Sequence, residues 1–450
     1  KSNKLLRHPR YLCKIRISCM TELHFELTFR QNQEQTYVKH PFTVPAGTDR
    51  MEIDYDYQRF GKEQNQNGIK TDEENIIDLG LYSPDGELKG WSGSDKKSIF
   101  ICATEATAGY IPCPLHEGQW AAALGLYKIK SEVTVKLHIR FYPKQKRLYK
   151  GDIHMHTINS DGAYTTSEVI DFCKKAGLDF IALTDHNNTV QNTEIGHAEN
   201  ITVIPGMEYT NYRGHANFYF NEYKIQTFDS ALLSNTFDEM KKIFLEAKAR
   251  GALISLNHVD CPFCGWKFGY TDFPYDMVEV WNGPMKESEM RAIARWHQWL
   301  CEGKKIPAVG GSDTHRNELA RTYGTPTTFV YADGNSVDEL RTALSKGNSF
   351  ISIAPNGPRL SMAIDEKIFG ETALWKAGLT GKFSVEGCNT GDIVKLINGK
   401  NQIVEQIIPF RGVYTQEFAV EKASFYRLEL YRNLIGIDML VSLSNPIYVE

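Results

Sequence analysis

Gly151-Asp152-Ile153-His154-Met155-His156 is a short apolar run that ends in two histidines one residue apart. The same design recurs downstream. It is seen in Phe180-Ile181-Ala182-Leu183-Thr184-Asp185-His186, in Val203-Ile204-Pro205-Gly206-Met207-Glu208 and in Gly214-His215-Ala216-Asn217-Phe218-Tyr219. Leu253-Ile254-Ser255-Leu256-Asn257-His258 and Pro307-Ala308-Val309-Gly310-Gly311-Ser312-Asp313-Thr314-His315 complete the series. Helix signals lie between the runs. Capping boxes pair Thr165 with Glu168, Thr236 with Glu239 and Ser336 with Glu339. Glycines suited to helix ends follow at Gly177, Gly251, Gly303 and Gly347. Strand and helix in alternation predict parallel strands with crossover helices. In a barrel of that kind the strand ends converge and bring distant side chains to one rim.

Outward from this segment the rhythm changes. From residue 20 to about 145, short alternating runs such as His24-Phe25-Glu26-Leu27-Thr28-Phe29 are broken by turn signals such as Pro84-Asp85-Gly86. That pattern predicts antiparallel strands in an N-terminal β-sandwich-like domain. Pro143 to Lys150 reads as a linker, and the α/β segment occupies 150–354. Alternation returns in 355–450, for example in Phe425-Tyr426-Arg427-Leu428-Glu429-Leu430-Tyr431, and predicts a C-terminal β-rich domain. Residues 1–19 carry Lys1, Lys4, Arg7, Arg10, Lys14 and Arg16 with no acid and no apolar run behind them. They are read as a poorly ordered basic tail, not as a secretory signal.

A length of 450 residues calls for two or three domains. The net charge of −4 offers no footprint for extended nucleic acid or an anionic membrane, so neither partner is expected. A small anionic substrate held by cations fits that balance. Nine scattered cysteines do not form a disulfide framework and point to a reducing, cytoplasmic setting. No stretch reaches the length of an apolar membrane span.

Residues two apart on a strand share a face about 7 Å apart along the backbone, so His154 and His156 can serve one cation. Asp161 in the following Ser-Asp-Gly turn, His186, Glu208, Asp313 and His315 add donors at the ends of other runs. Mixed imidazole and carboxylate donors suit manganese, zinc or iron, and two or three such cations are expected.

This set of motifs resembles the polymerase-and-histidinol-phosphatase (PHP) superfamily. Asp78-Leu79-Gly80-Leu81-Tyr82-Ser83-Pro84-Asp85-Gly86, Gly90-Trp91-Ser92-Gly93, Ala106-Thr107-Ala108-Gly109-Tyr110, Gly357-Pro358 and Ser444-Asn445-Pro446-Ile447-Tyr448 further resemble the CehA/McbA-type metallohydrolases within it. The resemblance implies a distorted (β/α)7 barrel between β-rich domains. It also implies a hydrolase that uses metal-activated hydroxide on phosphate esters, nucleotides or short oligonucleotides. Carbamate or carboxyl-ester hydrolysis is the alternative enzymatic reading, and a carbohydrate- or protein-binding module with a relic barrel is the non-catalytic one. Carried onto this sequence, a first metal takes His154, His156, Glu208 and Asp313. A second shares Glu208 and adds His215 and His258, and a third takes Asp161, His186 and His315. Many members have a histidine where this chain has Asp161.

Beyond the ligands, Asp185 is expected to orient an imidazole or relay a proton, with a helix N-cap as its plain structural reading. Arg316 and Arg213 are expected to meet a phosphate oxygen, with Arg321 and Lys286 behind them. Asn282 is expected as a weak ligand or substrate contact. Cys261-Pro262-Phe263-Cys264 lacks the second ligand pair of a zinc ribbon and is read as ordinary loop sequence close enough to His258 to be oxidation-sensitive.

Overall fold

A computed structural model describes residues 21–61, 73–196, 198–271, 273–399, 402–422 and 425–450. The basic stretch 1–19 lies outside them. The chain divides into two compact units, Lys1–Gln145 and Lys146–Glu450.

In the first unit, two antiparallel sheets of four strands share one apolar core. One sheet orders Thr21–Phe29, Val133–Pro143, Thr48–Asp56 and Ser98–Cys102, and the other Thr36–Val44, Gly118–Ile129, Asn75–Tyr82 and Leu88–Trp91. Period-two patterning sets the inner face. Val133, Val135, Leu137, Ile139 and Phe141 are buried while the residues between them face outward. The Pro84–Gly86 signal is a turn in which Gly86 N donates to Ser83 O with Gly86 at φ 84°.

The second unit is mixed α/β and is built on one sheet of fifteen strands. Arg147–Asp152, Phe180–Leu183 and Thr202–Asn211 run parallel, as do Leu253–Leu256, Met277–Asn282 and Ala308–Gly311. Between the two sets Gly214–Tyr219 runs antiparallel to both neighbours. Uniformly parallel pairing is therefore corrected at this strand. Only Tyr212 and Arg213 separate it from Thr202–Asn211, and two residues make a hairpin but no crossover.

The helices start and stop where their signals stand. Thr165, Thr236 and Ser336 accept from the amides of Glu168, Glu239 and Glu339, which reach back to complete each box. Gly177 and Gly347 cap helix ends in the left-handed conformation. On Phe237–Ala249, Met240, Ile243, Phe244 and Ala247 form the buried stripe.

The two ends of the curled run meet through few bonds. Asp313 N donates to His154 O at 2.7 Å and His156 N to Thr314 O at 3.1 Å. Thr328 Oγ1 accepts from Gly310 N at 3.0 Å and donates to Gly310 O at 2.7 Å. Beyond residue 355, Arg359–Ile364, Thr380–Cys388 and Gly412–Ala419 form a three-stranded sheet of their own, while other strands extend the fifteen-stranded sheet. Ser349–Ser352 pairs with Ile437–Ser444, which leads to Phe425–Leu434 and Ile393–Asn398. These strands fall in the same compact unit as those that precede them and enclose an apolar core that includes Leu360, Phe383, Leu396 and Leu428. No helix among the described residues is long and apolar enough to cross a membrane.

Candidate metal centre

Glu208 is the hub of the site. It sits fully buried on Thr202–Asn211. Its Oε1 lies 3.3 Å from His154 Nε2, 3.2 Å from His215 Nδ1 and 3.3 Å from His258 Nε2. Its Oε2 lies 2.9 Å from His186 Nδ1 and 3.6 Å from His156 Nε2. Asp313 Oδ1 closes the other side, 3.1 Å from His156 Nε2 and 3.4 Å from His154 Nε2.

Local backbone explains the convergence. His154 and His156 flank Met155, which pairs with Thr314 and packs into the core, so alternation turns both imidazoles to the opposite side. Gly311 lets His154 approach, since a Cβ there would stand 2.4 Å from that of His154. His215 begins its strand where the other donors end theirs. Because that strand runs antiparallel, its first residues lie at the same rim, with His215 opposite Thr210. His258 and Asp313 adopt φ of 29° and 52°, which turns each side chain inward just past its strand. Such conformations in residues other than glycine cluster at functional sites.

A second, shallower group surrounds Asp161. Its Oδ1 is 3.1 Å from His315 Nε2 and 3.5 Å from His186 Nε2. The donor atoms of His156, Asp161, His186 and His315 all lie within 4.8 Å of one another. The Asp161 side chain is 58% exposed whereas those of His154 and His156 are at 0%, so the site grades from a closed floor to an open mouth.

The donor set fits divalent cations. His154 Nε2 and Glu208 Oε2, both turned into the cluster, are buried without a hydrogen-bond partner, which is costly unless a cation satisfies them. Burial alone would push the Glu208 carboxyl up, yet the His154 and His215 imidazoles hold it well below the usual range. His154, His156 and their hydrogen bonding do the same for Asp313 against its own burial. Burial lowers the His154 imidazole, but Glu279, Glu208 and Asp313 outweigh it and raise the group well above its ordinary value.

All nine residues expected as ligands are therefore brought together. The other expected positions stand as follows. Asp185 accepts from Thr157 N at 2.8 Å, Thr157 Oγ1 at 2.9 Å and Ser160 Oγ at 2.6 Å. Its carboxylate thus braces the turn that carries Asp161, and neither an imidazole nor a helix N-terminus is its partner. Asn282 gives its amide to Glu279 Oε2 at 3.0 Å. Arg321 donates to Asp313 O at 2.8 Å and Oδ2 at 3.2 Å. Arg316 and Arg213 are exposed, and the Arg213 guanidinium stands 6.0 Å over the Phe268 ring. Lys286 occupies the N-cap of Glu287–Cys301.

Three partners went unassigned from sequence. Glu279 Oε1 holds His154 Nδ1 at 2.9 Å while Oε2 accepts from His258 N at 2.9 Å. Asn257 Nδ2 donates to Glu208 Oε1 at 2.8 Å, and Thr210 Oγ1 contacts His186 Nδ1. Glu279 lies inside the apolar run Met277–Asn282, where its spacing carries no mark that separates a bracing carboxylate from a strand residue facing solvent.

Residues 152–280 match the PHP domain model. The DNA polymerase/3'-5' exonuclease PolX of Bacillus subtilis is 47% identical over 38 residues, a match that spans 8% of this chain and 7% of that protein. Among solved structures, a Bacteroides vulgatus two-domain protein containing a predicted PHP-like metal-dependent phosphoesterase is similar, with a TM-score of 0.41 and 19% identity. That likeness covers 66% of this chain and 96% of the other. A candidate metal-dependent phosphoesterase of Bifidobacterium adolescentis gives a TM-score of 0.32 and 16% identity, covering 43% of this chain and 95% of its own. The segment that gathers His154, His156, His186, His215 and His258 around the Glu208 carboxylate thus lies within the residues that match the PHP domain model.

Proposed function

We propose that this chain is a metal-dependent hydrolase of small phosphate esters, nucleotides or short oligonucleotides among them, of the CehA/McbA type on a distorted (β/α)7 barrel. The observation that carries the reading is Glu208, a buried carboxylate within 3.6 Å of five imidazoles, with its own Oε2 and His154 Nε2 left for a cation. His154, His156, Glu208 and Asp313 would hold a first metal. Glu208, His215 and His258 would hold a second, and Asp161, His186 and His315 a third. Bound divalent cations supply Lewis acidity toward a phosphoryl oxygen and a hydroxide nucleophile near neutral pH.

The chain's own residues do the remaining work. Glu279 and Arg321 fix His154 and Asp313 from behind, so the donors keep their geometry as charge shifts. Asp185 positions Asp161 through the Thr157–Ser160 turn. Substrate would enter from the exposed Asp161 side, and the exposed Arg316, next to His315, and Arg213, two residues before His215, are the side chains offered to fork onto a non-bridging oxygen. A mouth with these few cations suits a small ester better than a long polyanion.

The test is turnover of paired chromogenic phosphomonoester, phosphodiester and carboxyl-ester substrates by manganese-loaded protein, with Asp313→Ala as control. Phosphate-ester turnover that falls at least about 100-fold in the variant is the expected result, since a directly placed group of this kind contributes on that scale. Carboxyl-ester turnover alone would move the enzyme to carbamate-like chemistry.

A further inference from the structure

His258 offers two ring nitrogens to two different surroundings. Nε2 faces Glu208, and Nδ1 lies 3.5 Å from Cys264 Sγ. Cys264 Sγ in turn stands 2.8 Å from Cys261 Sγ, and all three donor atoms lie within 4.8 Å of one another. The loop from His258 to Trp266 is wound to present them. Cys261 N donates to His258 O at 2.8 Å, Gly265 N to Cys261 O at 3.0 Å and Trp266 N to Val259 O at 3.0 Å. A Cβ at Gly265 would stand 2.4 Å from Cys261 O, so only glycine allows the loop to close this tightly. The amides of Phe263 and Cys264 both point at Cys261 Sγ, the latter from 3.3 Å.

We propose that Cys261, Cys264 and Nδ1 of His258 form a separate site for a thiophilic divalent cation of the zinc type, with its fourth position open to solvent. Sequence alone pointed away from such a site because no second cysteine pair follows. The third donor comes instead from the histidine that precedes the motif. A tetrahedral ion with zinc-like bond lengths sets ligand atoms about 3.5–3.7 Å apart. The 3.5 Å sulfur-to-nitrogen separation meets that, and the sulfurs reach it by opening about 1 Å through χ1 rotation of one thiol. Asp260 does not compete for the ion, because Arg295 holds both of its oxygens at 2.6 and 3.0 Å. Both cysteines are half-buried, which leaves the open coordination position to a water molecule or to an incoming donor. Binding there would clamp the imidazole whose other nitrogen faces Glu208. The site rests on its own geometry and does not depend on the phosphoester reading.

Cobalt(II) titration of the reduced full-length chain tests this directly, because thiolate ligation gives a near-ultraviolet charge-transfer band that oxygen and nitrogen donors do not. The band is expected to saturate, to vanish in both Cys261→Ser and Cys264→Ser, and to persist in Asp313→Ala. Zinc is expected to protect two thiols from an aromatic disulfide reagent in the same chain. Cobalt bound with no thiolate band would overturn the proposal. So would the finding that these two thiols become titratable only after reduction, since they would then be a disulfide.

Discussion

Glu279 shows how a residue outside the donor ring governs it. One oxygen takes the Nδ1 side of His154 at 2.9 Å, and the other takes His258 N and the Asn282 amide at 2.9 and 3.0 Å. A carboxylate behind a ligating imidazole fixes its tautomer and strengthens it as a donor. Glu279→Gln is therefore expected to weaken manganese binding about 10- to 100-fold while the fold persists. Equilibrium dialysis of the variant measures this, and an unchanged affinity would show that Glu279 merely fills space. The nine donors were legible because each ends or borders an apolar run. Glu279 was not, because its role is set by His154, 125 positions earlier, and nothing in Val278-Glu279-Val280 distinguishes a bracing carboxylate from a strand residue facing solvent. Asp185 was legible as a site residue but not in its role, which depends on the Thr157–Ser160 turn folding back over it.

At the scale of elements, helices were read well because caps are local. The antiparallel Gly214–Tyr219 strand was missed as such because strand direction is settled by the two-residue link before it and by pairing on both sides. Closure of the curled strands also rests on a side chain. Thr328→Val keeps the shape but leaves the buried Gly310 N and O without that hydroxyl. A loss of about 1–3 kcal/mol is expected in urea unfolding, and a change within about 0.5 kcal/mol would mean closure is held elsewhere. On Phe425–Leu434, Arg427 and Glu429 form a buried pair at 2.6 Å. Burial raises the Glu429 carboxyl, but Arg427 outweighs it and sets the group below its ordinary value. A depressed carboxyl pKa stabilises the fold above the unfolded value of about 4.3, and that contribution is lost as pH falls through the lower folded value. Glu429→Gln is accordingly expected to cost about 3–5 kcal/mol at pH 7, with the gap to the parent narrowing below about pH 4. A gap that stays constant from pH 7 to pH 3 in chemical denaturation would contradict this.

For the whole molecule, the change of rhythm near residue 145 was readable because alternation gives way to runs separated by helices, and the compact units divide there. Beyond 355 alternation marked the strands but not the sheet each one joins. Alternating strands look alike in either sheet, and pairing between distant residues sends Arg359–Ile364, Thr380–Cys388 and Gly412–Ala419 to one and Ile437–Ser444 to the other. Every donor to Glu208 and Asp161 lies within Lys146–Glu450, so residues 146–450 expressed alone are expected to bind as much manganese as the full chain. Reduced binding by a folded 146–450 fragment would give the first unit a share in the site. On the proposed reading, Glu208 organises a centre for two or more cations. Manganese, with its preference for oxygen and nitrogen donors, is the ion to count by equilibrium dialysis against the parent chain and Glu208→Gln. Two or three bound ions in the parent and the loss of at least one in the variant are the predicted result; equal stoichiometry and affinity in both would contradict it.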